Sequence, residues 1–257
     1  MVSIIMLTYN APEFVEHSIE TLRKHTKGIP YELIVLDNAS GDRTRRLLLK
    51  LQKRGMIDKL IFEKNNTYFA KGNNTAARLC STDSKYILLL NSDVEIREDN
   101  WLKDLAARHE RGAISYGVCE AEPHVRADGY CFLIDKDLYL RYQLDEQFEW
   151  WWSVTKLQAQ LLRDSYQVKA VKNHGAQLFH YGGMSGTAWR GSKGMAVEGK
   201  EIKAWFDTHE VEIIPSIPGK TASAGDSRFT RLALRRKKRT EQIDALKSMV
   251  RKIIRKE

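Results

Sequence analysis

The sequence predicts an α/β fold built on a doubly wound, mostly parallel β-sheet. Short apolar runs bounded by polar or turn residues recur through the first half of the chain, and such runs are typical of buried parallel strands. Segments of helical length with charged faces separate them, which is the order of repeated β-α-β units. With 257 residues, 42% of them hydrophobic, the chain can bury one large core and carry an appended segment.

The strands and helices of the first half are predicted from where these patterns begin and end. In chain order they are a strand at 2–7, a helix at 13–24, a strand at 32–36, a helix at 43–53, a strand at 59–62, a helix at 70–80 and a strand at 86–90. Beyond Trp101 the alternation is looser, and strands are expected near 113–119 and 129–134 before a helix at about 148–163. Residues 182–225 are rich in Gly, Ser and Lys and predict loops.

A basic helix is predicted from residue 226 to the end of the chain. Residues 226–257 contain 12 Lys and Arg against 4 Asp and Glu, so +8 of the net charge of +9 belongs to this tail and the body is nearly neutral. Apolar residues recur in the tail at helical spacing: Ile243, Leu246, Val250 and Ile253. Three interpretations stay open, namely a helix packed on the domain, a helix on an anionic membrane surface and, least favoured, a nucleic-acid-binding arm.

The cysteines and the N-terminal segment bear on the cellular compartment. Cys80, Cys119 and Cys131 show neither close pairing nor metal-ligand spacing, so neither a disulfide framework nor a zinc site is indicated. The apolar run after Met1 is too short for a signal-peptide core or a membrane span. We therefore expect a cytoplasmic protein that is soluble or peripheral on the inner face of the membrane.

Polar clusters follow three of the predicted strands. The first strand ends in Thr8-Tyr9-Asn10, the second in residues 37–42 and the fourth in Asn91-Ser92-Asp93. Ligands of an open α/β sheet bind outside the carboxyl ends of its strands, so these clusters are expected to share one crevice. There, Asp37 could accept from the imide of a pyrimidine base, and Asp93 could bind the divalent cation that a diphosphate leaving group needs. Turn and cap chemistry is the alternative for both segments.

Together, these segments resemble the family 2 inverting glycosyltransferases of GT-A fold. The resemblance covers roughly residues 2–183 and rests on four motifs in the order of the family: Val2-Ser3-Ile4-Ile5-Met6-Leu7-Thr8-Tyr9-Asn10, Asp37-Asn38-Ala39-Ser40-Gly41-Asp42, Phe69-Ala70-Lys71-Gly72-Asn73-Asn74 and Leu90-Asn91-Ser92-Asp93-Val94. It implies transfer of a sugar from a nucleoside diphosphate donor to a glycan or lipid-linked glycan, as in relatives that build bacterial and viral polysaccharides. Residues 1–100 would be the donor half and 101–225 the acceptor half of one catalytic domain, followed by the tail 226–257.

The resemblance also implies roles for individual residues. The donor, a uridine diphosphate sugar or alternatively a thymidine diphosphate sugar, is expected at nine positions: Thr8, Tyr9, Asn10, Asp37, Asn66, Lys71, Asn73, Asn91 and Ser92. Asp93, at the end of the Asp-x-Asp-like motif, would hold Mn²⁺ or Mg²⁺. His180, in a segment similar to the family's His-x-Gly-Gly-x-Ser, would be a second metal ligand, with a packed or surface histidine as the alternative.

The family's general base is missing from its usual position. The family carries a Glu-Asp pair at the start of the acceptor-site helix, where this sequence has Ser153-Val154. Three explanations stay open: Glu149, one turn earlier on the same helix, is the base; Asp145 or Glu146 on the preceding loop is the base; or the protein binds sugar without transferring it. The run Trp150-Trp151-Trp152 is consistent with sugar stacking, with core packing as the alternative for at least one of the three.

A second departure from the family is Tyr68, where relatives tend to have Gly, and its bulk is expected to reshape the donor-sugar pocket. Other nucleotide-using classes are disfavoured. No Gly-x-Gly-x-x-Gly follows the first strand, and Gly219-Lys220-Thr221 lacks the first glycine of a phosphate loop because Ile214 stands there. A sugar nucleotidyltransferase would need a glycine- and arginine-rich loop in place of Ala11-Pro12-Glu13. A catalytically degenerate GT-A-like binding module and a transferase acting on nucleic acid stay as alternatives.

Overall fold

The computed structural model describes residues 1–186, 188–215 and 227–254 and alternates strands with helices. Its strands are β1 Val2–Thr8, β2 Tyr31–Asp37, β3 Lys59–Phe62, β4 Tyr86–Leu90, β5 Val94–Ile96, β6 Gly112–Tyr116, β7 Val118–Cys119, β8 Arg126–Ala127, β9 Cys131–Asp135, β10 Gln167–Val171, β11 Leu178–His180 and β12 Glu212–Ile214. Its α-helices are α1 Pro12–His25, α2 Asp42–Lys53, α3 Tyr68–Ala77, α4 Trp101–Ala107, α5 Lys136–Tyr142, α6 Trp152–Arg163, α7 Gly199–Phe206 and α8 Ser227–Ile254. A short 3₁₀-helix spans Ala188–Gly191.

The main sheet is mostly parallel, as predicted. Within the described residues it has eight strands in the order β12-β10-β6-β9-β4-β1-β2-β3. β1 lies between β2 and β4 and is parallel to both, and β10 is parallel to its neighbours β6 and β12. β9 runs antiparallel to β4 and β6. Because the chain winds to one side of β1 through β2 and β3 and to the other side through β4, a crevice is expected at the carboxyl ends of β1 and β4.

Helices cover both faces of this sheet. Alternate residues of β1 point to opposite faces, so Ile4 belongs to the apolar cluster beneath α1, α2 and α4, whereas Ile5 belongs to the cluster beneath α3, α5, α6 and α7. Both side chains are fully buried. Burial on both faces explains why β1, β2 and β4 are continuous apolar runs in the sequence rather than alternating ones.

Three predicted elements differ from the structure. The strand expected at 113–119 is divided at Gly117, whose φ is +116°. A residue with a side chain rarely adopts this φ, and a Cβ at this position would lie only 2.8 Å from the Tyr130 ring. The helix expected from about 148 begins only at Trp152. The segment 182–225, predicted as loops, contains the 3₁₀-helix, α7 and β12 in its described part.

The predicted basic helix is present as α8, and its first turns pack on the main domain. Phe229 and Ala233 are buried in a small cluster with Phe14 of α1 and with Tyr181. Further along, the Lys237 ammonium group donates to the Tyr181 carbonyl oxygen at 2.8 Å. The beginning of the tail is therefore part of the body, in agreement with the first of its three interpretations.

The later part of α8 makes a second contact with the main domain. Asp244 pairs with Arg190 of the 3₁₀-helix at 2.9 Å, and Ile243 is exposed. The other members of the predicted apolar stripe have side chains outside the described residues: Leu246, Val250 and Ile253. Among the helices that the structure describes, none combines the length and apolar character needed to cross a lipid bilayer.

Candidate active site

A cavity of about 330 Å³ opens at the carboxyl ends of β1 and β4, where the strand order predicts a crevice. Its polar and charged lining residues are Thr8, Asn38, Asn66, Asn91, Ser92, Asp93, Asp128, His180 and Ser185. Its aromatic lining residues are Tyr9, Tyr68, Phe69, Tyr130, Trp150, Trp151 and Trp189. The cavity thus combines hydrogen-bonding groups, two carboxylates and flat apolar surfaces, as a site for a polar ring compound would.

Asp93 and His180 meet in this cavity. Asp93 immediately precedes β5, and His180 ends β11, which pairs antiparallel with β5. Asp93 Oδ1 lies 3.1 Å from His180 Nε2, and Asp93 Oδ2 accepts a hydrogen bond from the Met184 N–H at 3.3 Å. The structure therefore brings together the two residues predicted as metal ligands.

Burial and mutual attraction set the charges of this pair. Burial by itself would raise the pKa of Asp93, but His180 and the Met184 N–H outweigh that effect and hold the pKa below its usual value. Burial by itself would lower the pKa of His180, but Asp93 first and then Asp128 outweigh it and raise that pKa. The site consequently holds an ionised carboxylate beside an imidazole, although both groups are largely removed from water.

The donor set fits a divalent cation that is bound partly by its substrate. Among the residues with described side chains, no group of three or more His, Cys, Asp and Glu is placed to hold a metal. Asp93 and His180 supply one oxygen and one nitrogen, and Mg²⁺ sites are commonly completed by substrate phosphates and water. The imidazole is oriented by Asn91, whose Nδ2 lies 3.4 Å from Nε2, and by the Tyr130 ring stacked on it at 4.2 Å.

The polar groups at the ends of β1 and β2 bind one another, as their shared edge predicts. The Thr8 hydroxyl donates to Asp37 Oδ1 at 3.0 Å, and the Ser40 N–H donates to Asp37 Oδ2 at 3.1 Å. Asn10, in the left-handed region with φ +57°, donates its N–H to the Ser40 hydroxyl at 2.7 Å and accepts from the Gly41 N–H at 3.0 Å. Thr8 lines the cavity, whereas the fully buried Asp37 and the half-buried Asn10 are not part of the lining.

The other predicted donor residues divide into two groups. Those that line the cavity are Tyr9, Asn66, Asn91 and Ser92. Lys71 is exposed on α3, and Asn73 is buried and donates to the Phe69 carbonyl oxygen at 2.9 Å, so neither belongs to the lining. The two α3 positions therefore contact their own helix or solvent.

Tyr68 forms part of the cavity wall. Its φ of +58° lies in the left-handed region, which glycine adopts without strain and which a bulky residue rarely occupies. Its carbonyl oxygen accepts from Asn38 Nδ2 at 3.1 Å, and its ring meets Trp150 edge to face with centroids 6.4 Å apart. Asn38 is thus a cavity residue to which the sequence motif assigns no separate role, and Tyr68 lies beside it on the cavity wall.

The three carboxylates predicted as general base lie outside the cavity lining. The expectation that Glu149 shares the acceptor-site helix was wrong, because α6 begins three residues later at Trp152. Each carboxylate has a partner of its own: Glu149 accepts from the Lys193 N–H at 2.6 Å, Asp145 pairs with Lys156 at 2.6 Å, and Glu146 accepts from Asn74 at 3.1 Å.

Two features of the cavity carried no signal in the sequence. Trp189, in the segment predicted as loops, lies with its ring centroid 5.6 Å from that of Trp151 and extends the aromatic wall. Asp128, which belongs to none of the motifs, lines the cavity just before β9. Their places depend on how distant segments pack, so only the structure places them here.

Residues 3–154 match the model of the family described as glycosyl transferase family 2. The uncharacterized glycosyltransferase MJ1057 of Methanocaldococcus jannaschii is 30% identical over 94 residues, which are 36% of this chain and 32% of that protein. The poly(ribitol-phosphate) β-N-acetylglucosaminyltransferase TarP of Staphylococcus aureus is 29% identical over 105 residues, which are 40% of this chain and 31% of that protein. The chain thus matches about a third of the length of these two curated relatives.

A solved structure shares the architecture. The mannosyltransferase PcManGT from Pyrobaculum calidifontis, determined in complex with GDP-Man and Mn²⁺, aligns with a TM-score of 0.51 at 18% sequence identity, covering 61% of this chain and 51% of that one. At this identity the likeness is one of fold. The predicted GT-A-type architecture is confirmed.

Proposed function

The chain belongs to glycosyltransferase family 2, and on that premise we propose that it is a metal-dependent, inverting glycosyltransferase of the hexosyltransferase type. It moves a sugar from a nucleoside diphosphate donor to a hydroxyl group of a glycan or lipid-linked glycan. One observation carries this function: Asp93 and His180 lie 3.1 Å apart on the wall of a cavity lined by polar and aromatic side chains. A carboxylate oxygen and an imidazole nitrogen at this spacing could serve as two ligands of one divalent metal, which would replace the ion pair between them.

Asp93 and His180 would hold Mn²⁺ or Mg²⁺. The cation would stabilise the charge that develops on the departing diphosphate. PcManGT was solved with both Mn²⁺ and a nucleotide sugar, which supports the same combination in a chain of the same fold. Asn91 and Tyr130 keep the His180 imidazole oriented, and the Met184 N–H keeps the Asp93 carboxylate oriented.

The donor, a uridine diphosphate sugar in preference to a thymidine diphosphate sugar, would occupy the polar part of the cavity. Five predicted residues line that part and would contact it: Thr8, Tyr9, Asn66, Asn91 and Ser92. The other four predicted donor residues are not among the lining residues and would act on the donor indirectly: Asn10, Asp37, Lys71 and Asn73. Asp37 has the clearest means of doing so, because it binds the Thr8 hydroxyl directly.

The acceptor would lie against the aromatic wall formed by Trp150, Trp151 and Trp189. Flat aromatic rings offer large apolar faces against which sugar rings can pack. Residues 1–100 would thus serve the donor and residues 101–225 the acceptor, and TarP, by its name a transferase to poly(ribitol-phosphate), supports a polysaccharide-type acceptor. The basic tail 226–257 would favour a peripheral position on the anionic inner face of the membrane, next to a lipid-linked acceptor, over a nucleic-acid partner.

Asp93→Ala tests the metal-binding role. The substitution is expected to abolish manganese-dependent binding of a uridine diphosphate sugar and to leave the fold intact, because Asp93 faces the cavity rather than the apolar core. Calorimetry of a panel of nucleotide sugars, with and without manganese, measures the effect. Asp83→Ala, which removes an exposed carboxylate, is the matched control. Unchanged manganese-dependent affinity in Asp93→Ala would remove Asp93 from the metal site.

A catalytically degenerate binding module is the second candidate. It is favoured by a specific observation, since all three carboxylates predicted as general base have partners outside the cavity. A binding module would retain manganese-dependent affinity for the donor and show no transfer to any acceptor. Transfer assays with glycan and lipid-linked acceptors separate the two candidates, and the anomeric configuration of the product tests inversion.

A further inference from the structure

Asp128 occupies a fixed position on the cavity wall between β8 and β9. Its N–H donates to the Gly117 carbonyl oxygen at 2.9 Å, and its own carbonyl oxygen accepts from the Ser115 hydroxyl at 2.6 Å. Both partners belong to β6 or to the residue that follows it, so the sheet itself holds this segment. Asp128 and Asp93 are the two carboxylate residues that line the cavity in the described part of the chain.

The Asp128 carboxylate forms no hydrogen bond or ion pair with the residues that the structure describes. Asp93, by contrast, is paired with His180, and the three carboxylates predicted as base have partners elsewhere. Asp128 lines the same cavity as the predicted metal ligands Asp93 and His180. A half-buried, unpaired carboxylate in this place is available to a bound hydroxyl group.

Asp128 also lies beside the position where the family places its base. Val154 stands at that position, on the first turn of α6, and lines the cavity. A Cβ at Gly129 would lie only 3.2 Å from Val154 Cγ2, so the residue next to Asp128 packs against Val154. The carboxylate that the helix lacks is therefore present on the neighbouring segment of the same wall.

We infer that Asp128 is the general base of the transfer, an inference that rests on the proposed function. The acceptor hydroxyl oxygen forms a bond to the anomeric carbon of the donor sugar while the bond from that carbon to the diphosphate oxygen breaks. The hydroxyl proton moves to the Asp128 carboxylate, and the electron pair of the broken bond leaves with the nucleoside diphosphate. Trp150 and Trp151, which line the same cavity, hold the acceptor ring in place.

Asp128→Asn tests this assignment, because the amide preserves the shape of the side chain and removes its basicity. The transfer rate is expected to fall about a hundredfold or more, as the loss of a general base implies, while donor affinity by calorimetry stays within about twofold. Asp128→Ser repeats the test with a smaller side chain and must show the same split between rate and affinity. Asp83→Asn, on the exposed surface, is the matched control and retains the native rate.

Several outcomes would overturn the assignment. Transfer at the native rate by Asp128→Asn would do so, and so would a loss of donor affinity that parallels the loss of transfer, because Asp128 would then belong to the donor site. Glu149→Gln is the competing variant, and loss of transfer there with retention in Asp128→Asn would place the base at Glu149. Failure of the native protein to transfer sugar to any acceptor is a different result, which would refute the proposed function itself.

Discussion

Asp37 is fully buried, and an ionised carboxylate in such a place is costly unless its oxygens accept hydrogen bonds. The Thr8 hydroxyl and the Ser40 N–H supply these bonds, and the Arg45 guanidinium group lies 4.0 Å away. The carboxylate thereby ties the end of β2 to the end of β1, where the cavity lining begins. A change at Asp37 would consequently reach a bound nucleotide through Thr8 even without direct contact.

Asp37→Ala is expected to weaken binding of the bare nucleotide as well as of the nucleotide sugar. The nucleotide would lose a correctly oriented Thr8 hydroxyl, and loss of one neutral hydrogen bond costs about 0.5–1.5 kcal/mol, which is roughly twofold to tenfold in affinity. Calorimetry of uridine diphosphate and of a uridine diphosphate sugar on the same variant measures both, with Asp83→Ala as the control. If the variant binds uridine diphosphate with native affinity and only the nucleotide sugar more weakly, Asp37 does not act on the nucleotide.

At the residue scale, the sequence could predict that Asp93 and His180 lie close together, although they are 87 positions apart, because each belongs to a motif with a family likeness. The general base could not be placed in the same way. The inferred base, Asp128, is next to Gly129, which contacts Val154 only in the folded chain. A motif comparison considers one segment at a time, so it shows only that the helix position has Val154 instead of a carboxylate.

At the element scale, strands with continuous apolar runs could be predicted nearly to their ends, because burial on both faces leaves no polar interruption. α7 could not be predicted from the sequence, because it buries only Ile202 and Phe206 and its remaining residues are exposed or half-buried. The predicted start of α6 is too early, because Trp150 and Trp151 precede the helix and line the cavity instead of covering the core. Large aromatic residues that line a cavity can therefore be mistaken in the sequence for the apolar face of a helix.

α8 links the tail to the candidate metal site. Its Phe229 and Ala233 pack in one cluster with Tyr181 and Met184, on the segment that follows His180. Removal of residues 226–257 is therefore expected to weaken manganese-dependent donor binding, because the Met184 N–H that donates to Asp93 would lose its support. Calorimetry of the donor with manganese measures this, and full retention of affinity would show that the segment holds its shape without α8.

A shorter truncation separates this packing from the charge of the tail. Deleting residues 246–257 removes 5 Lys and Arg and one Glu but keeps every described side chain of α8. Donor hydrolysis should then stay near the native rate, whereas transfer to a lipid-linked acceptor in anionic vesicles should decrease, because each basic residue adds about 1 kcal/mol to binding at such a surface. Equal transfer by the native and truncated chains would contradict a membrane role for the tail.

At the scale of the whole molecule, the doubly wound sheet could be predicted, but the strand order beyond β4 could not. β9 enters antiparallel between β4 and β6, a pairing that is selected by tertiary contacts rather than by a local pattern. One such contact is the Gly112 N–H, which donates to Asp135 Oδ2 at 2.8 Å and joins the start of β6 to the end of β9. Hydrophobic periodicity identifies strands without stating which strand lies beside which.

A buried carboxylate joins several elements at the other end of the sheet. Glu32 of β2 accepts from the Ser3 hydroxyl of β1 at 2.5 Å and from the Ser81 hydroxyl at 2.9 Å, and it pairs with Lys59 of β3 at 2.7 Å. Burial opposes its charge, but Lys59 and the two serines outweigh that effect and lower the pKa of Glu32 to about 2. The folded protein therefore stabilises the ionised form of Glu32 more than the unfolded chain does.

The free energy of unfolding is accordingly expected to fall in acid through Glu32. Its contribution, on the order of 2 kcal/mol, is fully present above the unfolded pKa of about 4.5 and is lost as the pH falls toward 2, because protonation then favours the unfolded chain. Glu32→Gln should lower the free energy of unfolding at pH 7 and flatten its decrease between pH 4.5 and 2. Urea denaturation followed by circular dichroism across this range measures both effects, with Asp83→Asn as the exposed control. A Glu32→Gln protein whose stability falls as steeply as that of the native chain would show that other carboxylates govern acid unfolding.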